Sequence, residues 1–175
     1  MSALDRNPTN PNFLHPNKFQ LNFSRAPNIQ YFCQAVNLPG LSLSEIPRNT
    51  PFVDIYSPGE KVQYDVLNVT FLIDENLHSW FEIHDWIRAL TFPTKFEEYR
   101  ELGQLSPVTN QNFPQFSDAQ LTILTSANNP NYKVKFIDCF PTALSSIIFS
   151  ASDSPESAMT ADATFRFSYF DIDRD

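Results

Sequence analysis

The run Tyr64-Asp65-Val66-Leu67-Asn68-Val69-Thr70-Phe71-Leu72-Ile73 decides the fold class. Leu67, Val69, Phe71 and Ile73 fall on every second position, which puts them on one face of an extended strand. This is the best candidate for a central strand. Immediately downstream the period changes: Leu77, Trp80, Phe81, His84 and Ile87 recur at three- and four-residue spacing, supported by Ile83 and Leu90, while Asn76, Ser79, Glu82, Asp85 and Arg88 fall opposite. That pattern is one amphipathic helix. Asp74 or Asn76 can cap it, Glu75 complements its dipole, and Pro93 ends it. Its apolar side needs a sheet to lie on, so Trp80, Ile83, Ile87 and Leu90 are predicted to pack against the outer surface of a β-structure. A fully buried Trp80 ring would make Trp80→Ala cost ~3–5 kcal/mol.

Upstream, residues 1–16 are rich in Asn and Pro and read as an extended arm. Phe19, Leu21 and Phe23 alternate with polar residues as a half-buried strand, and a turn at Ala26-Pro27-Asn28 leads into a second strand, Ile29 to Val36, predicted to form a hairpin with it. From Leu43 to Tyr56 the chain is extended but interrupted by Pro47 and Pro51, which confines it to an edge strand or an exposed ribbon. Ser57-Pro58-Gly59-Glu60 reads as a turn. Phe52, Val53, Ile55 and Tyr56 in this ribbon are too apolar to remain in water, so they are predicted to contact a neighbouring subunit, in the next ring if subunits stack.

Downstream, residues 94–115 are turn-rich and read as a long functional or interface loop. Strands are expected at Ala119–Thr125, Tyr132–Phe140, Leu144–Phe149 and Ala163–Ile172. The expected fold is mainly β: an antiparallel β-barrel or sandwich of about eight strands, closed or nearly closed, with one flanking amphipathic α-helix, occupying residues 17–175.

Composition limits the chemistry. The 175 residues suit one domain and argue against a multi-domain enzyme. Only three glycines stand beside fourteen prolines, which excludes a Gly-rich phosphate cradle. A net charge of −8 disfavours tight binding to nucleic acid. No apolar run approaches the ~18 residues of a membrane span, and residues 1–12 lack the pattern of a signal peptide, so no membrane role is expected. Cys33 and Cys139 are too far apart to read as a metal motif and are expected to be reduced core thiols. His78 and His84 lie six apart and cannot form the i,i+4 pair of a zinc helix. No nucleophile elbow or convergent acid–base pair is readable, so no catalytic, cofactor-binding or metal residue is assigned and no enzymatic activity is expected. The surplus is aromatic surface: seventeen Phe, six Tyr and two Trp. A Phe-rich core absorbs some of it, and a protein interface is the leading use for the rest.

The chain resembles the tail tube protein family of contractile-tailed bacteriophages, itself similar in fold to the tube protein of type VI secretion. The residues that carry the resemblance are Asn17-Lys18-Phe19-Gln20-Leu21, Cys33-Gln34-Ala35-Val36-Asn37-Leu38-Pro39-Gly40, Glu45-Ile46-Pro47, Asp65 through Glu75, Asp85-Trp86, Cys139-Phe140-Pro141-Thr142 and Ala163 through Tyr169, in that order. The resemblance implies a structural virion protein whose hexameric rings stack into a tube inside a contractile sheath, with DNA passing through the lumen without specific binding. It implies as partners further copies of itself, the sheath protein, and the tube-initiator and terminator proteins. It implies assembly in the host cytoplasm and residence in the virion tail. A baseplate tube initiator of the same fold and a monomeric β-barrel binding module are the alternatives. Acidic residues in the lumen would keep a polyanion from sticking, and the same charge would also keep an unassembled subunit soluble.

Overall fold

A computed structural model describes residues 12–91, 115–150, 152 and 158–174. In chain order the elements are β1 (Phe19–Phe23), α1 (Pro27–Phe32), β2 (Cys33–Val36), β3 (Leu41–Asn49), β4 (Asp54–Tyr64), β5 (Leu67–Leu72), α2 (His78–Thr91), β6 (Ser117–Leu124), β7 (Pro130–Leu144), β8 (Thr160–Arg166) and β9 (Tyr169–Arg174). All pairings are antiparallel.

The long strand β7 organises the rest. Its first part lies between β6 and β9, and its last residues pair with β8. Lys133 stands opposite Asp173 and Phe140 opposite Arg166, so β8 and β9 follow one register along β7 despite the break at Phe167-Ser168. At the matching point β7 itself bends. Asp138 takes the left-handed φ of 56°, its N–H donates to Asp118 Oδ1 at 3.4 Å, and its Oδ2 accepts the Ser168 hydroxyl at 3.3 Å. A short acceptor side chain suits this conformation better than a branched one. The bend gives two sheets, β1-β6-β7-β9 and β2-β5-β8-β7, sharing β7.

Alternation then builds the core. Leu67, Val69 and Phe71 of β5 are buried, opposite Phe165, Ala163 and Ala161 of β8, so small side chains face large ones. They meet Leu21, Phe23, Ala119, Leu121, Val134 and Phe136 of the other sheet, with Phe23 and Phe165 ring centroids 4.7 Å apart. Burial of each such side chain stabilises the fold by about 1.5–3 kcal/mol.

The mainly β, antiparallel expectation agrees with this architecture, but several details differ. The strand path ends at β1 and β2 instead of closing, so the sandwich forms and the barrel does not. There are nine described strands and two helices. No hairpin joins β1 to β2: Pro27 starts the helix α1, β1 pairs with β6, and β2 pairs with β5. The ribbon is a hairpin running from Leu41 to Tyr64, and Ser57 through Glu60 lie inside β4 instead of forming a turn. The strand expected at Leu144–Phe149 is absent because β7 runs unbroken to Leu144 and residues 145–150 form no regular element. Ala163–Ile172 is split into β8 and β9. Residues 1–11 of the arm and 94–114 of the long loop lie outside the described residues.

The buried stripe of α2 is Ser79, Ile83, Trp86 and Ala89, rotated from the expected one. Ile83 is fully buried; Trp80, Ile87 and Leu90 are partly buried against the core, and Phe81 is exposed. Ser79 tolerates burial because its hydroxyl donates to Leu72 O and Asp74 Oδ1. Glu82 is half-buried, and its carboxylate accepts the N–H and side-chain amide of Asn28 at 3.2 and 2.8 Å, tying α1 to α2.

Asp74 starts the helix. Its Oδ1 accepts the Ser79 N–H at 3.0 Å and its Oδ2 lies 3.1 Å from His78 Nδ1. These bonds, the Ser79 N–H foremost, hold the carboxyl well below the usual carboxylate range. A depressed folded-state pKa means that the charged form stabilises the fold. That contribution is complete above the unfolded value of about 4 and is lost as pH falls further. The stability gap between wild type and Asp74→Asn, measured by denaturant melts, is therefore expected to narrow as pH drops from about 5 to 2. A gap that stays constant over that range removes the capping role.

Candidate assembly interface

Among the described residues the hairpin β3–β4 pairs with no other strand. It leaves the body at Gly40 and Asp65, where the Asp65 N–H donates to Gly40 O at 3.1 Å, and at Tyr64, whose carbonyl accepts Arg166 Nη1 at 3.2 Å. A Cβ on Gly40 would sit 2.6 Å from Asp65 Oδ2, so a larger residue there would make the Asp65 side chain swing aside. A polar groove lined by Asn37, Ser42, Gln63, Asp65 and Arg166 flanks this root. With nine residues in β3, the hairpin reaches roughly 30 Å.

The turn at its tip is closed by Thr50, whose hydroxyl donates to Val53 O and accepts the Val53 N–H at 3.2 Å. Midway along, the register shifts between Leu43 and Glu45, and a Cβ on Gly59 would lie 2.5 Å from the Ser44 carbonyl oxygen. Gly59 thus lets the strands approach at a bulge, and this is what Pro58-Gly59 does instead of turning the chain.

Register assigns the faces. Leu41, Leu43, Val62 and Tyr64 share one face of the proximal half, against Ser42 and Gln63 on the other. In the distal half apolar side chains stand on both faces, Pro47 and Tyr56 on one beside Glu45, Asn49 and Asp54, and Ile46 and Ile55 on the other beside Arg48 and Ser57. Phe52 is 98% exposed, Val53 64%, Ile55 53% and Tyr56 60%. The structure brings these four residues together at the tip, well away from Trp80, Ile83, Ile87 and Leu90 on α2. An isolated two-stranded hairpin is marginal in water, and one with apolar side chains on both faces is more exposed than most.

The second assembly feature is a pair of strand edges. Among the described residues β1 and β9 have no partner on their outer sides, which leaves both ends of the sheet β1-β6-β7-β9 open. In the other sheet β2 likewise has no partner on its outer side among the described residues, while α2 runs beside the end of β7, with Trp80, His84 and Ile87 lining a groove with Thr142 and Leu144. Sequence reading missed these edges, since the β1–β6 pairing joins residues about a hundred positions apart.

The thiols offer no reactive centre. Burial pushes Cys139 up to about 12 and Cys33 to about 11. Among the described residues no three His, Cys, Asp or Glu side chains gather as metal ligands.

Residues 9–173 match the family described as phage tail tube protein. The chain belongs to the phage tail tube protein family. A curated relative in this setting, the tail tube terminator protein of Enterobacteria phage T4, is 26% identical over 149 residues, covering 81% of this chain and 77% of the relative. Two solved structures share the fold. One is a chain of the PVC sheath–tube complex, an extracellular contractile injection system in its extended state, with TM-score 0.63, 14% identity and 94% of each chain covered. The other is the tube-terminating cap of the anti-feeding prophage, with TM-score 0.64, 13% identity and the full length of both chains covered. This phage tail tube family member is therefore a structural tail component by its family.

Proposed function

We propose that this protein forms hexameric rings that stack as part of a contractile phage tail tube, the conduit for DNA ejection. The observation that carries the reading is the β3–β4 hairpin, whose apolar tip residues have no cover among the described residues and fit between subunits of an adjoining ring. Ring closure is served by the open edges. Strand directions alternate from β1 to β9, so β9 of one subunit meets β1 of the next in antiparallel sense, and the head-to-tail contact closes by rotation. Six four-stranded sheets give a wall of about 24 strands and, at ~4.8 Å spacing, a backbone diameter of about 37 Å before tilt. The domain bodies and α2 then lie outside, where a sheath would surround them.

The likeness to the phage T4 terminator and to a tube-terminating cap favours a second, narrower reading in which the ring ends the tube. Electron microscopy of the purified protein tests both. Sixfold rings are the expected result. Long tubes from this protein alone place it in the tube body, whereas single rings that add to tube ends make it the terminator. A protein that stays monomeric at micromolar concentration, with no rings in tail preparations, overturns the proposal.

A further inference from the structure

Closing the sheet β1-β6-β7-β9 into a wall turns its core-opposed face to the channel, because the other face is buried under the rest of the domain. Register then lays out two rows of polar residues on that face, in which Thr122 is itself buried. Gln20, Thr122, Lys133 and Asp173 lie side by side across the four strands, and Asn22, Gln120, Lys135 and Asp171 form the adjacent row. Each row holds one cation, one anion and two neutral polar groups. The ion pair that forms is diagonal, with Lys135 Nζ 3.2 Å from Asp173 Oδ2, and Gln120 Nε2 donates to the Thr122 hydroxyl at 3.2 Å. Across the proposed junction the aspartates of β9 adjoin Gln20 and Asn22 of the next β1.

We infer that the channel wall is a charge-compensated Lys–Asp lattice in which Asp171 and Asp173 mask Lys133 and Lys135 from the DNA that passes. This rests on the ring reading above and goes beyond it, for it locates the chain's net charge of −8 away from these rows. The aspartates are masking residues. Two lysines per subunit, repeated around a ring, would otherwise make a basic band that holds a duplex by counterion release. The passing polyanion thus meets side-chain amides and mutually compensating Lys and Asp charges, neither a trap nor a strong barrier.

The test uses D171N/D173N rings with linear duplex DNA and closed circular DNA of the same sequence. Only a linear molecule can thread a closed ring. Wild-type rings are expected to retain neither form. The variant is expected to retain linear DNA at 50 mM salt, lose it roughly 100-fold or more by 200 mM, and leave circles unbound. Adding Lys133→Gln and Lys135→Gln to the variant should abolish retention. If the double variant does not assemble, Asp173→Asn alone is expected to give the same preference for linear DNA, more weakly. Assembled variant rings that bind linear and circular DNA equally, or bind neither, overturn the masking role while leaving the ring reading intact. Failure of the wild type to form rings overturns the ring reading and this inference with it.

Discussion

Replacing Phe52 and Ile55 by Asp is expected to leave the subunit folded and, if the proposed stacking holds, to stop one ring from adding to another. Neither residue supports the core: Phe52 is almost wholly exposed at the hairpin tip, and Ile55 points from one face of the distal half. Their value lies in the assembled state, where burying each side chain gains about 1.5–3 kcal/mol per copy. A carboxylate in the same contact would need to be desolvated without a partner, which is costlier than the lost apolar contact. The effect repeats at every subunit of a ring, so no stacked rings are expected at protein concentrations where wild type stacks. Electron microscopy reads the assembly, and a denaturant melt matching wild type certifies the fold. Stacking that persists in the variant removes the hairpin from the stacking contact, as does a variant that unfolds outright.

Trp86→Ala is expected to destabilise the subunit by about 3–5 kcal/mol, whereas Trp80→Ala costs about 1–2 kcal/mol. Trp86 is 2% exposed, with its ring 6.2 Å from that of Phe165 and the Arg25 guanidinium 5.3 Å above it. Its indole N–H donates to Gln115 O at 3.2 Å, so truncation removes both volume and this part-buried hydrogen bond. Trp80 is only partly buried; its ring stacks on His84 at 4.9 Å beside an open groove, and the site can fill with water. Denaturant melts of the two variants side by side give the comparison, and equal losses contradict it.

The sequence displayed what depends on short-range periodicity. Alternation in β5 reports which side of the strand is buried, and Leu67, Val69 and Phe71 are buried; the three-to-four spacing reveals the helix α2 but misplaces its buried stripe. Ser79 disguised the true stripe of α2: it reads as polar, yet Asp74 and Leu72 satisfy its hydroxyl and allow burial. With Ser79 counted as apolar, Ile83 and Trp86 line up and Phe81 rotates to solvent. Pro27 misled in a similar way, because proline suits both a turn and the first position of a helix. Pro58-Gly59 has turn composition, but its function is to admit the Ser44 carbonyl at close range. Strand pairing was the least legible part. Which edge meets which depends on contacts between residues far apart in the chain, and alternation within one strand carries no record of its neighbour. At the candidate interface the tip residues were visible because apolar side chains among prolines have few places to hide. The open edges of β1 and β9 became visible only with the sheet order.

The bend at Asp138 has a mechanical meaning. Two sheets held together by side chains alone can slide when one is pulled, since dispersion contacts resist shear weakly. Here β7 and the β8–β9 run pass from one sheet into the other as continuous peptide. In the proposed ring, a load on the wall would pass into the second sheet through covalent bonds and a shared ladder of hydrogen bonds, not through side-chain contacts alone.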